Sequence, residues 1–92
     1  MAALYNNIGN VYDRQGKYER ALEMYQQALK FLIKVSNGTD VATSKFNLAS
    51  LLKNMGQANE SKRWFAEAAA IFRRALGADH PHTQMAERNA AA

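Results

Sequence analysis

Apolar residues recur along this chain at helical spacing. Leu4, Ile8 and Tyr12, with Tyr5 and Val11 beside them, fall at i, i+4 and i+8. That is one stripe of a helix over residues 3–15. Gly16 follows, where a glycine that ends a helix belongs. From residue 18 to 34 the apolar positions are Tyr18, Ala21, Leu22, Tyr25, Ala28, Leu29 and Leu32, again with a period near 3.6. Ser36, Asn37 and Gly38 then form a turn cluster.

The second half repeats the plan. Thr39 or Asp40 is the expected helix cap, since either side chain can accept a bond from an early backbone N–H. Ala42, Phe46, Ala49, Leu52 and Met55 carry the next stripe, which stops at Gly56. Over residues 58–76, Phe65, Ala68, Ala69 and Phe72 share one side, Trp64 and Ile71 broaden it, and Gly77 closes it. Asp79-His80-Pro81 opens a last helix: proline pushes the residue before it out of the helical region and itself suits a first turn. That helix is read over residues 83–92, short, polar and alanine-rich. No segment alternates with period two for long enough to suggest strands. The fold class is therefore all-α, with five helices.

Self-similarity sharpens the reading. Setting Gly16 on Gly56 gives an offset of 40, which places Ile8 on Leu48, Asn7 on Asn47, Tyr25 on Phe65, Ala28 on Ala68 and Leu32 on Phe72. Large residues match large and small match small. The unit is a helical hairpin, with alanines where two helices approach and aromatics filling the gaps.

These residues resemble the tetratricopeptide repeat. The first unit supplies Tyr5, Ile8-Gly9, Tyr12, Gly16, Ala21, Tyr25 and Ala28, and the second Leu48-Ala49, Leu52, Gly56, Ser61, Phe65 and Ala68. The second departs at Lys45, where the pattern wants an aromatic, and at Ser61, where alanine is usual. The proline expected near the end of each second helix is missing from both units. The period exceeds the ~34 residues of the ordinary repeat and is similar to the longer kinesin light chain-like kind. Leu76-Gly77-Ala78-Asp79-His80-Pro81-His82-Thr83 resembles that subtype's Leu-Gly-x-x-His-Pro-x-Thr junction, and Tyr5-Asn6-Asn7-Ile8-Gly9 its Leu-Asn-Asn-Leu-Ala segment.

The resemblance implies an α-α superhelix of about two and a half repeats. Residues 2–35 are the first repeat, 40–77 the second, and 80–92 a terminal capping helix. It also implies that the first helix of each unit lines a concave groove, with its sixth position facing inward. Here those positions are Asn7, Asn47 and Asn89. An asparagine amide offers donors and an acceptor together, so it can pair with the backbone of an extended peptide whatever its sequence. The bland alternative is that these amides bridge or cap helices. In the same register Asn6, Asn10, Asp13, Arg14, Ser50, Lys53 and Asn54 neighbour the groove. Arg14 and Lys53 could draw a carboxylate, or simply be solvated. The lysines of a carboxylate clamp have no counterparts: Asn6 and Met85 stand there.

Composition narrows the remaining classes. At 92 residues there is room for one small domain, and the absence of cysteine removes disulfides, thiolate zinc sites and cysteine nucleophiles. Twelve Lys+Arg against eight Asp+Glu give +4, spread as +2 over residues 1–38 and +2 over 39–92. Nucleic-acid arms concentrate their charge in blocks, so the even spread argues against that partner. Lys62, Arg63, Arg73 and Arg74 form a basic stripe read first as a solvated outer face and second as a surface for an acidic partner. His80 and His82, separated by a proline, make a poor metal site. Ser36, His80 and Asp40 could be drawn together as a triad, but each has a turn or capping role. No phosphate-binding glycine loop is present. The aromatics are spaced as core. No enzyme activity and no cofactor are expected.

No apolar run approaches the ~18 residues of a membrane helix, and residues 1–10 do not have the form of a signal peptide. The glycosylation triplets at Asn37 and Asn59 are discounted, and an intracellular, cytoplasmic setting is expected. The leading expectation is a non-catalytic module that binds a partner's peptide in its groove. The alternative is a structural or self-assembly segment of a longer array, associating through the apolar faces that an array exposes at its ends.

Overall fold

The computed structural model describes residues 2–35 and 38–91. Ser36 and Asn37, which carry the expected turn cluster and one glycosylation triplet, lie outside the described residues. Among the described residues five helices follow one another: α1 (Ala2–Arg14), α2 (Tyr18–Val35), α3 (Thr39–Asn54), α4 (Ala58–Leu76) and α5 (Pro81–Ala91). Among the described residues none is long and apolar enough to cross a membrane.

The two hairpin turns are the same device. Lys17 donates its backbone N–H to Tyr12 O at 2.8 Å and Gly16 to Asp13 O at 3.0 Å. Forty residues on, Gln57 donates to Leu52 O at 2.9 Å and Gly56 to Lys53 O at 3.1 Å. Both pairs are the 6→1 and 5→2 bonds of a Schellman closure, which needs a left-handed residue just past the helix. Gly16 (φ 76°) and Gly56 (φ 84°) supply it.

Two boundaries differ from the sequence reading. Gly38, not Thr39 or Asp40, is the cap residue of α3, and no side chain caps it. Thr39 and Asp40 are already inside the first turn, where the Asp40 carboxylate favours the positive end of the helix dipole. The last helix begins at Pro81, two residues earlier than expected, because the His80 ring caps it: His80 Nδ1 accepts the His82 backbone N–H at 3.1 Å.

α2 packs between α1 and α3, and α4 between α3 and α5. Ala21, Tyr25, Ala28, Leu29 and Leu32 of α2 meet Val41, Leu48 and Leu51 of α3 in one buried cluster, with Tyr5, Tyr12, Tyr18 and Trp64 packed around it. Ala42, Ala68, Ala69, Phe72 and Ala86 form the second, flanked by Phe46. Phe46 also meets Phe65 edge to face, with ring centroids 5.0 Å apart.

The two departures inside the second unit, Ser61 and Lys45, have a local explanation. Ser61 stands where alanine is usual and is 2% exposed, but its hydroxyl donates to Ala49 O at 2.7 Å. A buried polar group is tolerated once it has a partner. Lys45 stands where an aromatic is usual. Its ammonium lies 5.9 Å from the Trp64 ring centroid and 3.1 Å from Glu67 Oε1, so cation–π and ion-pair contacts take the place of ring packing.

Candidate functional site

The first helices lie together on one side of the stack: α1 touches α3 directly, and α5 packs beside α3 on α4. Asn7 and Asn47, 40 positions apart, hold the same turn of neighbouring helices, Asn7 exposed and Asn47 half-buried. Neither side-chain amide has a hydrogen-bond partner among the described residues. Arg14 and Lys53 are exposed at the ends of α1 and α3 and form no ion pair among the described residues. These four side chains are available for contacts outside the chain.

Three other expected groove residues are partly used by the fold. The Asn10 carbonyl oxygen accepts the Tyr25 hydroxyl, which leaves its NH₂ group for anything else. Burial, reinforced by the charge of Asp13 and opposed by Arg14, pushes the Tyr25 phenol up to about 12, so it stays a donor. Asn54 donates to Asp13 Oδ1 at 3.2 Å and ties α3 to α1 across their exposed ends. Asn89 donates to Met85 O at 2.9 Å, one turn back on its own helix.

Between α3 and α5 opens a cleft of about 220 Å³, lined by Thr43, Phe46, Phe72, His82 and Met85. The sequence reading missed it. It placed Phe46 and Phe72 in the core and His82 in the linker. The available signal was spacing: Thr43, Phe46 and Asn47 fall at i, i+3 and i+4, and His82, Met85 and Asn89 at i, i+3 and i+7, one face of each helix. On the opposite side α2 and α4 are parted by a larger groove of about 430 Å³, with Ile33 and Trp64 on its walls and Leu48 and Leu52 at its floor.

Among the described residues the other chemistry considered from sequence forms no metal cluster. The His80 and His82 rings stand 5.0 Å apart, with the His80 Nδ1 lone pair already spent on the helix cap. Arg73, one of the four basic residues of α4, pairs with Glu87 of α5 at 2.7 Å. Ser36 lies outside the described residues.

Family models for the tetratricopeptide repeat match residues 2–31 and 41–82. The chain belongs to the tetratricopeptide repeat family. It is 29% identical over 85 residues to the Protein O-mannosyl-transferase Tmtc3 of Drosophila melanogaster, a match spanning 92% of this chain and 8% of that protein. Among solved structures it superposes on BtubC (BKLC) from P. vanneervenii with a TM-score of 0.83 at 28% identity, covering 96% of this chain and 35% of that one. It also superposes on the nearly identical kinesin light chain tetratricopeptide-like repeats of Podosopora anserina with a TM-score of 0.82 at 20% identity, covering 97% and 43%. The chain thus spans less than half of each of these proteins. Tetratricopeptide repeats generally mediate protein–protein interaction, and the kinesin light chain-like superhelix expected from the Leu-Gly-x-x-His-Pro-x-Thr junction is the fold found.

Proposed function

We propose that this chain is a non-catalytic module, working in the cytoplasm, that holds an extended segment of a partner protein along the side lined by α1, α3 and α5. Asn7 and Asn47 anchor the partner's backbone, and Asn89 joins them through the acceptor oxygen left by its bond to Met85. Arg14 and Lys53 add attraction for acidic groups, and Asn10 and Asn54 contribute the amide positions that the fold does not use.

The observation that carries this reading is that Asn7 and Asn47 sit in register on touching helices with their amides unpaired among the described residues. An amide that capped or bridged helices would have a partner within the chain. The test is a pull-down from the native cell that compares the wild type with the Asn7→Ala/Asn47→Ala double variant. Unchanged capture of every partner sinks the proposal.

A second reading, self-association, is favoured by a separate observation. Leu4 and Val11 of α1 are 52% and 50% exposed, whereas their counterparts 40 residues on, Ser44 and Leu51, are both 0% exposed beneath the preceding hairpin. The open face of α1 therefore has the register of a buried interface.

A further inference from the structure

We propose that the open face of α1 in one copy of this chain seats on α4 of a second copy, in the place that α5 occupies, so that α5 is a displaceable cap on head-to-tail growth. This rests on the self-association reading above and adds to it the receiving surface and the helix that blocks it.

The chain builds the same seam twice. α2 covers α3, whose Val41, Ser44, Leu48 and Leu51 are buried, and α4 covers α5, whose Thr83 and Ala86 are buried. Forty residues before Ser44, Leu48 and Leu51, α1 carries Leu4, Ile8 and Val11. Forty-two residues after Ser44 and Leu48, α5 carries Ala86 and Ala90. The face of α1 is thus a third half of an interface that the chain already makes, with Leu4 and Val11 exposed. A second copy holds the matching half, because α4 receives a helix in this register.

Residue sizes favour the exchange. The α2·α3 seam has the large Leu29 on the second helix and the small Ser44 on the first. Ala69 stands in α4 where α2 has Leu29, and it clusters with Ala86 of α5. That seam therefore has alanine on both sides. Leu4 of a second copy would put the large residue on the first helix and bury more apolar surface, which is what drives association. Val11 has its counterpart in the buried Leu51 and none within Pro81–Ala91, so α1 reaches one turn further along α4 than α5 does.

α5 is held loosely. The Thr83 hydroxyl is fully buried without a partner among the described residues, which costs its desolvation. Ser44 shares this defect, but Val41, Leu48 and Leu51 surround it with apolar contact. The Arg73–Glu87 pair across the seam is exposed, and such pairs add little. Against this, α5 is tethered by a four-residue joint. A short tether gives an effective concentration on the order of mM, so a free copy takes the seat only at high protein concentration. The contact is heterologous, α1 of each copy on α4 of the next, which builds rings or open filaments and not a two-fold dimer.

The test is sedimentation velocity over a concentration series on four proteins: the wild type, Ala86→Arg, Leu4→Gln/Val11→Gln, and all three substitutions together. A guanidinium at position 86 would be buried unpaired, so α5 leaves α4. Ala86→Arg should grow at a concentration at least tenfold below the wild type, and the triple variant should not grow. Circular dichroism should show Ala86→Arg helical with a cooperative melt. If it is not, Glu87→Arg serves: it turns the contact with Arg73 into repulsion without burying a charge, and the expected shift is twofold or more. Growth that Ala86→Arg leaves unchanged but Leu4→Gln/Val11→Gln abolishes would overturn the displacement of α5 and leave self-association standing. Growth of Ala86→Arg that persists in the triple variant would overturn the seating of α1 on α4. No growth in any of the proteins would overturn both readings.

Discussion

Tyr25 fills the space that a side chain at position 9 would need: a β-carbon on Gly9 would stand 2.7 Å from Tyr25 Cε1 and 2.9 Å from Cδ1. The ring has nowhere to go. It is 1% exposed, and its hydroxyl is held by Asn10 one residue further along α1. Forty residues on, the equivalent positions are Ala49 and Phe65. Gly9→Ala should therefore destabilise the fold. Relief of glycine in a helix is worth ~1 kcal/mol, and overpacking a filled core costs ~1–3 kcal/mol, so a net loss of up to ~2 kcal/mol is expected. A chemical denaturation midpoint at or above that of the wild type would contradict the clash.

Tyr25→Phe keeps the ring and removes the bond to Asn10. The expected loss is ~0.5–1.5 kcal/mol at neutral pH. The same substitution has a signature at high pH. Tyr25 ionises at about 12 in the folded chain against 10.0 for an ordinary tyrosine. Between those values the folded state binds more protons than the unfolded state, so stability falls as pH rises from about 10 toward about 12. Urea midpoints measured from pH 8 upward should drop more for the wild type than for Tyr25→Phe, and parallel curves would refute it.

The His80 ring is the cap of α5, and losing a helix cap typically costs ~0.5–2 kcal/mol. His80→Ala should loosen the first turn of α5, seen as faster amide exchange at His82 and Thr83. His80→Asp should restore protection, because aspartate can accept the same bond and its charge suits that end of the helix. Equal exchange in all three proteins would remove the cap from the account.

Asn7→Ala/Asn47→Ala should behave in the opposite way to Gly9→Ala. No side-chain bond among the described residues is lost, so the melting temperature should stay near that of the wild type, while affinity for a captured partner drops tenfold or more. A double variant that melts early instead would assign the asparagines to the fold.

Leu4→Gln/Val11→Gln removes nonpolar surface from the open face of α1. If that face associates, sedimentation velocity across concentrations should show a wild type that grows with concentration and a variant that does not. A wild type of fixed monomer size would end the self-association reading.

The helices and their pairing were legible in the sequence because stripes at 3.6-residue spacing and two matched glycines are local signals. What was not legible is tertiary. Asn7, Asn10, Asn47 and Asn54 look alike in sequence. Only the packed structure brings the Tyr25 hydroxyl to Asn10 and Asp13 to Asn54 while leaving Asn7 and Asn47 without a partner among the described residues. The cap of α3 was misplaced because capping depends on where the backbone leaves the helical region, and at Gly38 no side chain reports it. The cleft was hidden because Phe46 and Phe72 are core residues that also border an opening.

The matched Schellman closures set the two hairpin turns apart from the joint between α4 and α5. Within each hairpin the turn is three residues held by the same two backbone bonds, so its length is not free to vary. The joint between α4 and α5 is four residues, Gly77–His80, crossed by one 3.4 Å backbone bond from His80 to Gly77 O. Hairpins of this kind behave as tiles and the joints as the grouting between them. A change in joint length would swing α5 across Phe72 and resize the cleft without disturbing either tile. The spacing of neighbouring first helices can thus drift through such a joint while the hairpins stay constant.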